Sequence, residues 1–149
     1  LHDAEPGFRI DTRELKRAGP SYMVDTLASI RAEIGMRPLC LIVGLDAFLG
    51  LPRWHRWREL FDLAHIAVMR RPGAEPDFAG DLAPYIRERR VDQAALLGLR
   101  PAGSIGFIDV TQLDISATRI RAAVKTGKSA RYLVPDPVWH LIRAEGLYR

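Results

Sequence analysis

The sequence is short of cysteine and of long apolar runs. Cys40 is the single cysteine in 149 residues, so no disulfide can form within the chain. Because it lies in the apolar run LCLIVG, we interpret it as a small buried side chain and predict a reducing, cytoplasmic location. No apolar run approaches the ~20 residues that span a bilayer, and we expect no membrane partner.

The sequence also has no recognisable catalytic nucleophile and no metal-ligand pattern. Neither a GxSxG motif nor a phosphate-binding P-loop occurs. The four histidines have no ligand spacing relative to one another or to the cysteine, so no metal site made of protein side chains is predicted. We interpret His65 and His140 as structural; the other two are His2 and His55.

Charge of one sign is not abundant either. The chain has 22 basic and 18 acidic side chains, a formal net charge of +4 and a pI near 9.6. This modest excess is compatible with small anions as well as with nucleic acid. The length and the 48% hydrophobic content predict one domain over residues 1–149.

Apolar runs alternate with helical patterns along the chain. Residues 39–43 predict a central parallel strand covered on both faces, and residues 65–69 and 105–110 predict two more strands. The prediction is an α/β fold, a parallel sheet with helices on both faces. Ligands of such sheets bind beyond the carboxyl ends of the strands, here residues 44–46, residues 70–73 and the loop before Ser116.

Local signals suggest where the other elements begin and end. We predict a short strand at residues 8–11, a helix from an N-cap at Ser21 to Gly35, and a helix at residues 116–124 capped by Ser116. The last helix is predicted to have Asp136 as its N-cap and to end at Gly146. Residues 74–104 predict one helix with long flanking loops.

The segment DISATRIR, residues 114–121, predicts a phosphate site. The first turn of a helix favours acidic side chains, yet after the cap this one has Arg119 and Arg121 and no acid. A phosphate held by the free N–H groups and by the hydroxyls of Ser116 and Thr118 would explain the arginines. The alternative is an ordinary surface helix with solvated arginines.

Two further segments carry weaker signals. In GLD, Asp46 follows Gly44 after the buried strand, where its carboxylate could bind ribose hydroxyls or instead cap the next helix. In PRWHRW, Trp57 continues an apolar helical pattern and is interpreted as core. Trp54 precedes that pattern and is free to stack on a planar ring. The alternative is a basic, aromatic nucleic-acid surface formed by PRWHRWR and IRERR.

Five segments in this order and spacing resemble bacterial nicotinate-nucleotide adenylyltransferases. They are GPSYMVDTL, LIVGLDAFLGLPRWHRWREL, AHIAVMRRPG, DISATRIR and RYLVPDPVWHLIRAEGLYR, and the resemblance covers residues 8–149. It implies a Rossmann-like nucleotidyltransferase fold and transfer of AMP from ATP to nicotinate mononucleotide, giving deamido-NAD and pyrophosphate. Mg²⁺ would arrive with ATP.

The resemblance also implies roles for single residues. Trp54 would stack on the pyridine ring, the backbone amides of Met23 and His55 would hold its carboxylate, and Arg71 would lie near the mononucleotide phosphate. The residues on the ATP side would be Gly44, Asp46, Ser116, Thr118 and Arg121. Position 23 is methionine where the family usually has threonine, so only a backbone contact would remain there.

One family motif does not occur in the sequence. These enzymes open with a glycine-rich turn that carries an HxGH motif, whose histidines would be catalytic, and nothing here matches it. We therefore expect an N-terminally incomplete domain without catalytic residues, inactive alone, with one edge of the 39–43 strand exposed. The alternatives are a same-fold enzyme with another acceptor, such as nicotinamide mononucleotide, and the nucleic-acid-binding module. The sequence does not predict the oligomeric state.

Overall fold

The computed structural model describes residues 7–73, 78–92, 98, 100–111 and 115–148. The chain divides into two compact units. One is Thr12–Thr111, and the other combines Leu1–Asp11 with Gln112–Arg149. The first contains the sheet and the second contains two helices. The single, N-terminally incomplete domain stays a prediction.

Four parallel strands form the sheet of the larger unit. They are β1 (Cys40–Gly44), β2 (His65–Arg70), β3 (Arg90–Val91) and β4 (Ile105–Asp109), in the order β1-β2-β4-β3. The predicted parallel α/β sheet is thus confirmed. The two-residue β3 was not predicted, because two residues are too few for a periodic signal.

The helices of this unit pack an apolar core against one face of the sheet. They are α1 (Met23–Ile34), α2 (Leu45–Leu49), α3 (Leu60–Leu63) and α4 (Leu82–Arg89), with 3₁₀ turns at Arg13–Lys16, Leu51–Arg53 and Trp57–Glu59. The residues on that face alternate along the strands, as a period of two requires. They are Val43, Ile66, Val68 and Ile105, and they pack with Val24, Leu27, Phe48, Leu60 and Phe61 from the helices and turns.

The strands differ in how far they are covered. Residues 65–68 of β2 are all buried, so this strand is covered on both faces. In β1, by contrast, Ile42 is 64% exposed. Among the described residues β1 pairs only with β2, so the prediction of a central strand covered on both faces is wrong. In the described sheet β1 is therefore an edge strand.

Several predicted ends are shifted by local geometry. The N-cap of α1 is Tyr22, without a side-chain cap bond, so the prediction for Ser21 is wrong. At the other end, Gly35 caps α1 as predicted: its φ is 60° and its N–H donates to Arg31 O over 2.9 Å. Residues 8–11 form no strand, since no neighbouring strand pairs with them in the described structure.

The smaller unit contains α5 (Ala117–Lys125) and α6 (Asp136–Ala144). Ser116 caps α5 as predicted. The N-cap of α6 is Pro135, with Asp136 as the first helical residue, so the predicted cap was wrong by one position. Gly146 lies just beyond α6 with a φ of 60°, which agrees with its predicted role as a stop.

Candidate functional site

The carboxyl ends of three strands meet at one edge of the sheet. Gly44 pairs in register with Met69, and Arg70 pairs with Asp109. This edge therefore carries three of the predicted site residues, Gly44, Asp46 and Arg71, which all follow or end a strand. Ligands of parallel sheets bind at this edge, and these predicted residues therefore lie where a ligand is expected.

Open space surrounds the backbone of Gly44. The residue is exposed, its φ is −72°, and a Cβ built there would meet nothing within 4 Å. Asp46 is exposed in the first turn of α2, where the helix dipole favours a carboxylate. The N-cap of α2 is Gly44, with no side-chain cap bond, so the capping alternative for Asp46 does not apply. The Asp46 carboxylate therefore makes no capping bond and lies exposed at the carboxyl-end edge of the sheet.

The end of β2 is basic. Arg70 Nε donates to Asp109 Oδ1 over 2.7 Å, which joins the last residues of β2 and β4. Arg71 follows and is exposed. The turn then continues through Gly73, whose φ of 76° is one that glycine adopts readily.

A cavity of about 370 Å³ lies between the start of α1 and the segment after α2. It contains three of the predicted residues, Met23, Trp54 and His55. Its other lining residues are Ser21, Tyr22 and Arg53. Met23 is the first residue of α1, and its N–H therefore has no acceptor inside the helix.

The two tryptophans of PRWHRW lie in different environments. Trp57 is 4% exposed and packs with the rings of Phe61 and Tyr85, whose centroids lie 6.1 Å and 4.9 Å away. Trp54 is half-buried: it contacts the core and also lines the cavity. An indole held in this way has little freedom to move, which favours stacking.

Tyr22 is part of the cavity that sequence reasoning missed. Its ring stacks on the His55 imidazole, with centroids 4.2 Å apart and an angle of 28° between the planes. The signal available in the sequence was an aromatic residue directly before Met23. The sequence-based prediction concerned only the backbone amide of His55. The structure shows that its imidazole also has a partner, the Tyr22 ring.

Arg56 adopts an unusual backbone conformation beside the cavity. Its φ and ψ are 52° and 38°, in the left-handed region. Its guanidinium contacts Glu59 through Nε (2.8 Å) and Nη2 (2.5 Å), and Asp25 Oδ1 through Nη1 (3.4 Å). The hydrogen bonds with Arg56 hold the pKa of the Glu59 carboxyl below its usual value.

The N-terminus of α5 combines a serine cap with a first turn that has no acidic residue. Ser116 Oγ accepts the N–H of Arg119 over 3.2 Å, and the first turn contains no acidic residue. The capping bond uses the oxygen of the hydroxyl and leaves its hydrogen able to donate. Thr118 and Arg121 are exposed on the same helix. Asp114 lies outside the described residues.

His65 has the structural role predicted for it. It is 1% exposed, its Nδ1 accepts the N–H of Ser104 (3.1 Å), and its Nε2 donates to Arg100 O (2.8 Å). Cys40 is only half-buried, against the prediction of full burial, and partial burial raises the pKa of its thiol. The described residues contain no group of three His, Cys, Asp or Glu side chains that could hold a metal.

Comparisons with known proteins agree with this geometry. A cytidylyltransferase-like family model matches residues 2–123. A protein of Methylococcus capsulatus named "Probable nicotinate-nucleotide adenylyltransferase" is 57% identical over 148 residues, covering 99% of this chain and 70% of that protein. A Halorhodospira halophila protein of the same name is 50% identical over 143 residues, covering 96% and 66%.

The chain belongs to the nicotinate-nucleotide adenylyltransferase family. A solved structure of the Plasmodium falciparum nicotinic acid mononucleotide adenylyltransferase complexed with APC has a TM-score of 0.58 at 12% identity. The match covers 88% of this chain and 60% of the solved one, and it supports the fold alone. The predicted family, the Rossmann-like nucleotidyltransferase fold and the adenylyltransferase class are confirmed. In the described part of the chain, no helix is long and apolar enough to cross a bilayer.

Proposed function

We propose that this chain binds nicotinate mononucleotide in the cavity of Met23, Trp54 and His55, for transfer of AMP from ATP. The observation that carries the proposal is this cavity, in which a half-buried indole stands beside the N-terminus of α1. Its volume of about 370 Å³ suits a small aromatic ligand. The products would be deamido-NAD and pyrophosphate.

The cavity offers a different contact to each part of the pyridine group. The Trp54 indole would stack on the ring, since offset stacking is the favoured geometry of two flat π-systems. The N–H groups of Met23 and His55 would donate to the two carboxylate oxygens. The positive end of the α1 dipole adds attraction for this anion. Arg71 would contact the mononucleotide phosphate from the end of β2.

We propose two sets of residues for ATP, Gly44 and Asp46 in the larger unit and Ser116, Thr118 and Arg121 on α5 of the smaller unit. The open space at Gly44 would admit the adenosine, and the Asp46 carboxylate would accept hydrogen bonds from ribose hydroxyls. The N-terminus of α5 would receive the triphosphate through Ser116, Thr118 and Arg121. Hydroxyl donors and a guanidinium at a helix start suit phosphate oxygens.

The reaction needs no nucleophile from the protein. A phosphate oxygen of the mononucleotide forms a bond to the α-phosphorus of ATP, and the bond between that phosphorus and the β-phosphate oxygen breaks to release pyrophosphate. The residues named here bind and align the two substrates. We propose that Mg²⁺ accompanies ATP and offsets the triphosphate charge, since the described side chains form no metal cage. The cytoplasmic location likewise remains a proposal, supported by the lone Cys40.

The test of this proposal is the substrate dependence of the full-length protein carrying Trp54→Ala. Loss of stacking should raise KM for nicotinate mononucleotide about tenfold or more, with KM for ATP little changed. Trp54→Phe keeps a stacking ring and should retain most of the affinity. Pyrophosphate release, measured with nicotinate and nicotinamide mononucleotides in parallel, gives all the constants. Equal rises in both KM values would contradict the stacking role.

A further inference from the structure

Arg56 has a left-handed backbone conformation that non-glycine residues rarely adopt. A residue with a Cβ disfavours a φ of 52°, and neither neighbour of Arg56 in the chain is a glycine. The conformation places Arg56 between His55, which faces the cavity, and Trp57, which faces the core. The left-handed residue thus separates a cavity residue from a core residue.

Three contacts of the guanidinium hold this turn. Two of its nitrogens meet the two carboxylate oxygens of Glu59, the fork geometry that arginine forms best. The third, Nη1, reaches Asp25 Oδ1 on α1 at 3.4 Å. Because all three side chains are about half exposed, solvent screens their charges, and the geometry of the fork matters more than its Coulomb attraction.

These contacts connect the two backbone segments that border the cavity. Asp25 lies two residues after Met23, and Arg56 follows His55 directly. The stack of Tyr22 on His55 makes a second connection, again between the residue before Met23 and the other segment. Side-chain contacts therefore join the two segments directly beside Met23 and His55.

We propose that Arg56 is a positioning residue, which fixes the two N–H donors at the separation that a carboxylate requires. This inference rests on the proposed function. A carboxylate offers two acceptor oxygens, whereas a carboxamide offers one acceptor and one donor group. Two fixed N–H donors therefore favour nicotinate over nicotinamide, because an N–H facing an NH₂ group is left without an acceptor. Loosening the pair weakens this selection.

The main variant for the test is Arg56→Gly in the full-length protein. Glycine accepts the left-handed backbone without strain, so the turn can persist while the guanidinium contacts are lost. We expect KM for nicotinate mononucleotide to rise about tenfold and the preference for nicotinate over nicotinamide to fall by a similar factor. Both kcat and KM for ATP should stay close to the wild-type values.

Two further variants separate the fork from the charge. Arg56→Lys keeps the positive charge without the fork and should recover only part of the loss. Adding Glu59→Gln to Arg56→Gly should cause little additional loss, because both changes break the same contact. Arg58→Gln is the matched control: this exposed arginine is in the same segment, pairs with Asp81 at 3.4 Å and should leave the nicotinate preference unchanged.

Each result bears on one claim. An unchanged nicotinate preference in Arg56→Gly, with thermal stability also unchanged, would overturn the positioning role. Full recovery by Arg56→Lys would overturn it too, since a simple charge would then suffice. If Trp54→Ala also leaves the use of nicotinate mononucleotide intact, the proposed cavity is wrong. Normal behaviour of the Arg56 variants beside a defective Trp54→Ala would refute only the role of Arg56.

Discussion

Single residues of this chain show that the chemistry of a side chain is decided by its neighbours. His65 is buried with both ring nitrogens engaged: Nδ1 accepts the N–H of Ser104 and Nε2 donates to Arg100 O. These two bonds select one neutral tautomer and join the start of β2 to the segment before β4. A histidine in this position stabilises the fold.

Replacing His65 should therefore reduce stability. In His65→Leu, the buried N–H of Ser104 loses its acceptor and the carbonyl of Arg100 loses its donor. We expect a decrease in the free energy of unfolding of about 1–3 kcal/mol for each group left buried without a partner. Denaturant titration followed by circular dichroism measures it. The other histidine predicted to be structural, His140, is instead exposed on α6. It provides the control, because His140→Leu should change stability by less than about 0.5 kcal/mol. Equal midpoints for the two variants would contradict this role.

The tryptophans show what residue spacing can predict. Trp57 shares helical spacing with Leu60, Phe61 and Ala64, and all four are buried as expected. Trp54 lies outside that pattern and lines the cavity. The roles of Tyr22 and Arg56 could not be found in this way, since both depend on contacts between segments about thirty residues apart. No local pattern records such a pairing.

At the scale of elements, α5 has a favourable N-cap and an unfavourable charge pattern in the same segment. Ser116 satisfies one N–H of the first turn, which contains no acidic residue, and Arg121 is exposed on the same helix. An isolated helix would gain stability from a carboxylate there. A sequence that omits it is suited to a phosphate as the compensating charge.

Arg121→Ala should accordingly weaken the use of ATP. Loss of one guanidinium near the triphosphate should raise KM for ATP about tenfold, with KM for nicotinate mononucleotide unchanged. Lys125→Ala removes the same charge from the last turn of α5 and is the matched control. Initial rates of pyrophosphate release at varied ATP test both variants. Similar ATP constants for the two would remove Arg121 from the site.

Element boundaries followed the sequence only where the capping chemistry is strong. Ser116 begins α5 and Gly35 ends α1 where predicted, because a side-chain acceptor and a positive φ are local requirements. Ser21 and Asp136 failed as caps, since either end of a helix can shift by a residue without a large cost. The status of β1 depends on which strand lies beside it, and an apolar run alone does not contain that information.

At the scale of the whole molecule, the net charge is +4, and several arginines of the two basic segments have acidic or aromatic partners. In the PRWHRWR segment, Arg56 pairs with Glu59 and Asp25, and Arg58 pairs with Asp81. In IRERR, Arg89 and Arg90 lie over aromatic rings of the core region. Cations arranged in this way are poorly placed to track a nucleic-acid backbone, which needs a continuous row of available charges.

Ligand-dependent melting of the full-length protein distinguishes the two whole-molecule readings. Nicotinate mononucleotide at about 100 times its Kd should stabilise the fold by about 2.7 kcal/mol and should stabilise it further as the logarithm of its concentration rises, whereas nicotinamide mononucleotide should give less. Single-stranded oligonucleotides at 150 mM salt should give no shift, and anisotropy should detect no binding. A nucleic-acid-binding module would show the reverse pattern, with affinity falling steeply as salt rises. Ligand binding in the Trp54 cavity should raise the melting temperature with one small molecule, whereas nucleic-acid binding to the basic segments should depend on salt. One set of melting curves, with each ligand and at several salt concentrations, therefore tests both surfaces.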